Sequence, residues 1–412
     1  MSFKAVKKFF LMILVKIFFY ILSPIFLFFI LLIKKVILIR FGVLASQRIG
    51  HFAWDTEIYL SEKQIKKKRN IIDLFCFTDV VCNKFLADKW KQNLIVIPSY
   101  ILFPIIRLNN FLAKKNKFLN DHRIFLRPFD INNAIIKTQN KILFTNEEIS
   151  LGENLLLKNG IDGKNIVCLI VRDSEYLKKT FPLQDFSYHN YRDCEIDSYT
   201  QAVKYLNDNG VTVIRMGRVV KKKMNYKNKL YIEYSMSKIE SDFMDVFLAS
   251  RCLFSISSGT GWEALPAFVF RKPMVFTNFI PFGQLITSSP QFINLAKKHY
   301  SLKLKRYLSI SEIFKFCAFD FNSYKDNSII LEDNTADELK DIVEEMFNKI
   351  KNDKKYSDEE NKLNSMFWNL YKKNLLNEDG TMKTWFGVKC HGNYFFSRYS
   401  VSFLKNNSNF LK

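Results

Sequence analysis

The sequence predicts an α/β protein: two domains built on parallel sheets, preceded by an apolar N-terminal segment and followed by a helical C-terminal part. Three observations predict it. Short apolar runs alternate with polar stretches of helical length, the pattern of parallel strands joined by crossover helices. The 412 residues, 48% of them hydrophobic, supply material for two to three cores at ~150 residues each, which excludes global disorder. Glycines number just 13, and Gly50, Gly217, Gly259 and Gly261 fall in turns at predicted strand ends.

Residues 1–38 read as a membrane anchor or re-entrant segment. Between Phe9 and Ile33 nearly every residue is apolar, approaching the ~20 residues a membrane helix needs. Lys4, Lys7, Lys8, Lys16, Lys34, Lys35 and Arg40 accompany this run, and no acid precedes Asp55. The run is too long for a cleaved signal peptide and is followed by lysines instead of a small-residue cleavage site. Lys16 and the Ser23-Pro24 step interrupt it, so two short halves dipping into one leaflet stand beside a single span. Basic flanks on both sides leave the positive-inside rule without a choice. A buried core helix is the remaining alternative, and it lacks the polar face such a helix needs.

Residues 39–160 form the first α/β domain: a strand at 36–41, a polar turn, a helix at 51–63, a strand at 70–77, a helix at 81–91 and a strand at 93–98. A helix at 147–158 ends it, and the boundary is placed at 159–164, where two glycines cluster. Residues 161–330 form the second domain, with strands expected at 165–171, 211–216, 230–233, 252–257 and 273–277. Asp197 is placed as the cap of a helix with Tyr199, Ala202, Val203 and Leu206 on its apolar face. Residues from 282 onward read as mostly helical. Within them, 331–412 is taken as helices that pack back on the core, including one with an acidic start near Thr335.

Seven scattered cysteines, Cys76, Cys82, Cys168, Cys194, Cys252, Cys317 and Cys390, form no CxxC pair and no zinc spacing. They read as free thiols in a reducing compartment. The net charge of +22 and pI near 9.5 invite a nucleic-acid partner. However, seven of the cations flank the membrane segment and no recognisable nucleic-acid module interleaves them with aromatics, so no nucleic-acid partner is expected.

Candidate chemistry concentrates at strand ends. In Ser257-Ser258-Gly259-Thr260-Gly261 a strand runs through a two-glycine turn into a helix, where backbone N–H groups and a helix N-terminus suit a phosphate; packing at a helix start asks for glycine too. Arg172 and Arg215 end apolar strands and suit bidentate phosphate binding, with Asp173 and Glu233 as their alternative local partners. The polar, aromatic stretch 188–199 reads as a substrate-facing loop, and His189 in it is either an acid/base group or simply solvated. His51 opens the first domain's helix, where the helix N-terminus favours the neutral base, and is expected to face the interdomain cleft. Neither GxxxxGK[ST] nor GxGxxG occurs, which removes most support for kinase and classical dehydrogenase readings. With no Asp-x-Asp pair, neither metal nor cofactor is expected.

The segments VCLIVRDSEYL, YHNYRDCEIDSY, VIRMGR, SDFMDVFLASRC and SSGTGWEALP, with RIGHFAWDTEIYL before them and SRYSVSFL after, resemble a family of bacterial glycosyltransferases known mainly from genome sequences. The resemblance runs from Ile39 to Leu404. It implies a GT-B fold, with two Rossmann-like domains facing a cleft and a nucleotide-sugar in the C-terminal one. It also implies donor contacts from Arg172, Arg215, Ser258, Gly259, Thr260 and Gly261, a ribose or sugar contact from Glu263, and His51 as general base. Trp262-Glu263 departs from the smaller residues, often aspartate, expected there. The implied reaction is metal-independent transfer of a sugar from a nucleotide-diphosphate-sugar to a lipid-linked or cell-surface glycan at the cytoplasmic face of the inner membrane. Transfer of a pyruvyl or phosphoryl group on the same scaffold is the alternative, separable by product mass. A membrane-tethered nucleic-acid binder is the non-enzyme alternative, separable by steeply salt-dependent DNA binding.

Overall fold

The structure, a computed structural model, describes residues 3–66, 70–383 and 395–412; Cys390 and the side chains of Lys4, Lys7 and Lys8 lie outside them. The chain divides into two compact units, Met1–Phe129 with Lys137–Leu143, and Asp130–Ile136 with Phe144–Lys412.

The first unit opens with helix α1 (Phe3–Leu32), then β1 (Leu38–Leu44), α2 (Ile49–Lys66), β2 (Ile71–Phe77), α3 (Lys84–Lys91), β3 (Ile95–Val96) and α4 (Ser99–Ala113). The strands form a parallel sheet in the order β1-β2-β3. Its register sets Arg40 opposite Asp73, and their side chains close a 2.7 Å ion pair. In place of two short halves, α1 is one continuous helix with Pro24 inside it. Proline cannot donate to the carbonyl one turn back, and the Ser23 hydroxyl donates to that carbonyl of Tyr20 instead (2.8 Å). The segment Ile13–Lys35 is long and apolar enough to cross a membrane and is mostly unburied.

The second unit begins with α5 (Asn146–Lys158), which the sequence reading assigned to the first domain. Packing explains the difference. A Cβ at Gly152 would lie 2.3 Å from the Phe247 ring, so α5 lies directly on that ring, and Glu153 reaches Arg251 (3.3 Å). The elements that follow are β4 (Ile166–Ile170), α6 (Glu175–Thr180), α7 (Thr200–Asp208), β5 (Thr212–Arg215), β6 (Tyr231–Glu233), α8 (Asp242–Arg251), β7 (Phe254–Ser257), β8 (Met274–Phe279) and β9 (Phe292–Ala296). Next come β10 (Lys298–Ser301), β11 (Arg306–Tyr307), α9 (Ile310–Phe316), α10 (Phe321–Asp326), β12 (Ile329–Glu332), α11 (Ala336–Lys351), α12 (Asp358–Leu375), β13 (Arg398–Tyr399) and α13 (Val401–Asn406).

Seven strands make one sheet in the order β13-β9-β8-β7-β4-β5-β6, every pair parallel. The central β4, β7, β8 and β9 are buried throughout, as strands covered on both faces must be. The region after 282 is less helical than expected. It supplies β9 and β13 to the large sheet and a small antiparallel sheet, β11-β10-β12. β13 and α13 return the C-terminus to the sheet, with Tyr399 stacked on Phe367 at 4.1 Å between ring centroids. α11 starts in a capping box of Thr335 and Glu338, so the acidic start does stand at a helix N-terminus.

Candidate functional site

β4 and β7 are neighbours in the large sheet, so their carboxyl ends place Arg172 beside Ser258. The Arg172 backbone N–H donates to Ser258 Oγ (2.8 Å). The stretch 187–192 coils into a 3-10 turn whose last residue, Arg192, donates through Nη2 to the Gly259 carbonyl (2.7 Å). Gly259 has φ +81°, a conformation that favours glycine, and a Cβ there would stand 3.3 Å from that guanidinium. The next segment is tied down as well: the Cys194 N–H donates to the Arg172 carbonyl (3.1 Å), and Lys297 Nζ donates to the Asp193 carbonyl (2.8 Å) while pairing with Asp333 (2.8 Å).

Two guanidiniums are therefore gathered at the end of two parallel strands, with Asp193 in ion-pair range of Arg172 and the Glu263 carboxylate within electrostatic reach of both. The Nε atoms of Arg172 and Arg192, and Thr260 Oγ1, are buried without a hydrogen-bond partner. Arg172 has a 3.5 Å ion pair with Asp193, a distance too long for a hydrogen bond. Burial and the charge of Arg192 bring Arg172 down to about 10. Two like charges held this close, with donors unmet, form a locally electropositive spot at the strand ends.

Other expected site residues sit differently. Arg215 is 2% exposed and occupied: Nη1 donates to the Lys222 carbonyl (2.6 Å) and to Glu233 (3.2 Å), with Asp173 4.0 Å away. Its neighbour strand β6 supplies Glu233 directly opposite, so the arginine is a sheet-edge ion pair. Glu263 does not face outward to sugar hydroxyls. Its carboxylate folds back to accept from the Ser257 hydroxyl and from the Thr260 N–H (2.9 Å), and burial raises its pKa. The Gly259 N–H is met by Ser257 Oγ (3.3 Å) and the Gly261 carbonyl by the Ala264 N–H (3.2 Å). The amide cradle is thus partly filled from within, and the departure at Trp262-Glu263 is what fills it. Trp262 is buried, with its indole N–H on the Asp245 carbonyl (3.1 Å), and Glu263 closes the turn.

Asp197 is not a helix cap. α7 starts at Thr200 after a 3-10 turn, and Asp197 accepts from the Asn225 N–H (2.8 Å) and pairs with Lys222 (3.1 Å). His189 is half-buried, its ring against Tyr188 at 4.1 Å between centroids.

In the first unit His51 is the third residue of α2, and its Nδ1 lies 3.1 Å from Asp55 Oδ2, one turn along. Asp55 is 6% exposed and its Oδ1 is buried without a partner, whereas the histidine side chain is 43% exposed. A buried carboxylate on one ring nitrogen orients the ring and favours the tautomer with Nδ1 protonated. Arg192 and Asp55 are the two residues that sequence reasoning missed. The i, i+4 spacing of His51 and Asp55 is a readable signal; for Arg192 the signal is its place in the substrate-facing stretch 188–199, while its partner Gly259, 67 residues away, is not readable locally. Among the described residues no three His, Cys, Asp or Glu side chains gather to hold a metal ion.

No family model and no curated protein matches the chain. A solved structure to which it is similar is the E. coli ADP-heptose lps heptosyltransferase II, at 12% identity and a TM-score of 0.34, over 57% of this chain and 84% of that one.

Proposed function

We propose that the protein is a membrane-associated glycosyltransferase of GT-B type that moves a sugar from a nucleotide-diphosphate-sugar to a lipid-linked or cell-surface glycan. The observation that carries the reading is the Arg172–Arg192 pair, with unmet buried donors, at the carboxyl ends of neighbouring parallel strands, where open α/β sheets bind their ligands. Three of the segments read from the sequence, VCLIVRDSEYL, YHNYRDCEIDSY and SSGTGWEALP, contain Arg172, Arg192 and Thr260.

In this reading the second unit binds the donor. Arg172, Arg192 and Thr260 Oγ1 take the diphosphate and stabilise the charge that develops as it leaves. Ser258 and Gly259 hold the two arginines in place, and Gly261 and Glu263 shape the turn. His189 shares the turn of Arg192 and is the candidate hydrogen-bonding group on the sugar side. The first unit binds the acceptor, and His51, oriented by Asp55, removes the proton from the attacking hydroxyl. The hydroxyl oxygen bonds to the anomeric carbon, the bond to the diphosphate breaks, and the nucleoside diphosphate departs.

The test is release of nucleoside diphosphate from a panel of nucleotide-sugars by the full-length protein in detergent. Arg172→Ala and Arg192→Ala are each expected to lower kcat/KM about 10- to 100-fold, the scale of a charge-assisted hydrogen bond worth ~1.5–3 kcal/mol. If no nucleotide-sugar is turned over, or if Arg192→Ala matches wild type, the reading fails. A product gaining less mass than a sugar residue points to pyruvyl or phosphoryl transfer instead.

A further inference from the structure

α4 is apolar on two sides. Leu102, Ile105 and Ile106 are buried in a cluster with Leu27 of α1, Phe41 and Cys76. Positions 100, 107 and 111 fall on another face, where Tyr100 is 41% and Phe111 65% exposed and the exposed Arg107 lies between them. A soluble helix pairs an apolar inner face with a polar outer one; the outer face here carries two exposed aromatic rings beside its one charge. The neighbouring α1 also exposes large apolar side chains, among them Phe18, Ile21, Phe28 and Phe29.

The two helices are fastened along this length. Phe19 lies on Tyr100 at 5.7 Å between ring centroids, and Arg107 donates to the Tyr20 hydroxyl (3.0 Å). These contacts fall inside the segment Ile13–Lys35 that is long and apolar enough to cross a membrane. Lipid around this part of α1 must therefore meet α4 as well.

Charge completes the surface. Lys114, Lys115 and Lys117 follow α4 directly and are exposed, as is Lys35 at the end of α1. Lys34 sits 5.1 Å from the ring centroid of Phe118, itself 52% exposed. Aromatic rings beside a cluster of lysines match the junction between acyl chains and anionic headgroups.

We propose that α4 is a second lipid-contacting helix, with Tyr100, Phe111 and Phe118 entering the bilayer beside α1 and Lys114, Lys115 and Lys117 meeting anionic headgroup phosphates. This rests on the membrane reading of α1 and is independent of the transfer chemistry. The experiment places single tryptophans in the full-length protein, F18W on α1, F111W on α4 and L183W on a fully exposed residue of the second unit, and reconstitutes each in phosphatidylethanolamine–phosphatidylglycerol vesicles with or without brominated acyl chains. Emission added over wild type is expected to be quenched by brominated lipid in F18W and F111W, and unaffected in L183W. Quenching of F18W alone overturns the role of α4 and leaves the α1 reading intact; quenching of neither overturns both. K114Q/K115Q/K117Q is expected to reduce quenching at position 111 in these vesicles and to have no effect in phosphatidylcholine; equal quenching of F111W with and without the three lysines in both lipids overturns the headgroup half of the proposal.

Discussion

Arg192 and Asp55 show how much the candidate chemistry depends on single side chains whose role is set by what they touch. Arg192 stands in a loop rich in polar and aromatic residues, where a charge is ordinarily solvated, yet its guanidinium lies on the Gly259 carbonyl. Arg215 has the better sequence position, at the end of an apolar strand, and is consumed by Glu233. The His51 ring is held by Asp55. Removing the charge while keeping the shape, Asp55→Asn, is expected to lower kcat about 10- to 100-fold with little change in KM, because it loosens the ring and its tautomer without touching donor or acceptor. His51→Ala is expected to cost more, about 100- to 10,000-fold. Steady-state kinetics on both variants decides it: equal KM-type losses in the two identify a structural effect instead of proton transfer.

Among the elements, α5 is the instructive one. Its helical period and its capping box at Thr145 and Glu148 are local and readable, but its placement depends on one glycine facing one ring. Gly152→Ala puts a methyl where the Phe247 ring already stands, and that ring is packed against Phe144 (5.5 Å) and Phe243 (5.3 Å) between centroids, so it has little room to give. Overpacking costs about 1–3 kcal/mol and the helix-propensity gain from replacing glycine offsets about 1 kcal/mol of it, so a net loss of up to about 2 kcal/mol in denaturant unfolding is expected. A midpoint equal to wild type shows that α5 does not need this close approach. α1 makes the complementary point. Pro24 in the sequence signals a break, and Ser23 supplies the hydrogen bond that keeps the helix whole. In β9 and β13, runs of five and two residues carry too short a period to separate strand from helix by sequence, and it is pairing with β8 and with each other that makes them strands.

At the scale of the whole molecule, the C-terminal return of the second unit is tied by one half-buried acid. Glu345 on α11 accepts from the Tyr356 hydroxyl (2.9 Å) and from the Val401 N–H (3.0 Å), tying three segments together, and burial pushes its pKa up to about 7. A folded-state pKa raised above the unfolded value means that the native state holds the proton more tightly. The stability this supplies is complete below ~4.5 and is lost as pH rises through about 7. Glu345→Gln cannot ionise, so the melting-temperature difference, wild type minus variant, is expected to shrink steadily between pH 5 and pH 8. A difference independent of pH shows that Glu345 does not titrate in that window. The α/β class, the order of most strands and helices, and the apolar N-terminal helix are all legible in the residue pattern, because hydrophobic period, capping residues and turn glycines act over a few neighbouring residues. The unit to which α5 belongs, and which charges are paired and which are left over, come from long-range packing. Arg172 meets Ser258 across 86 residues and Arg215 meets Glu233 across 18, and no local pattern records which of two like arginines folding will neutralise.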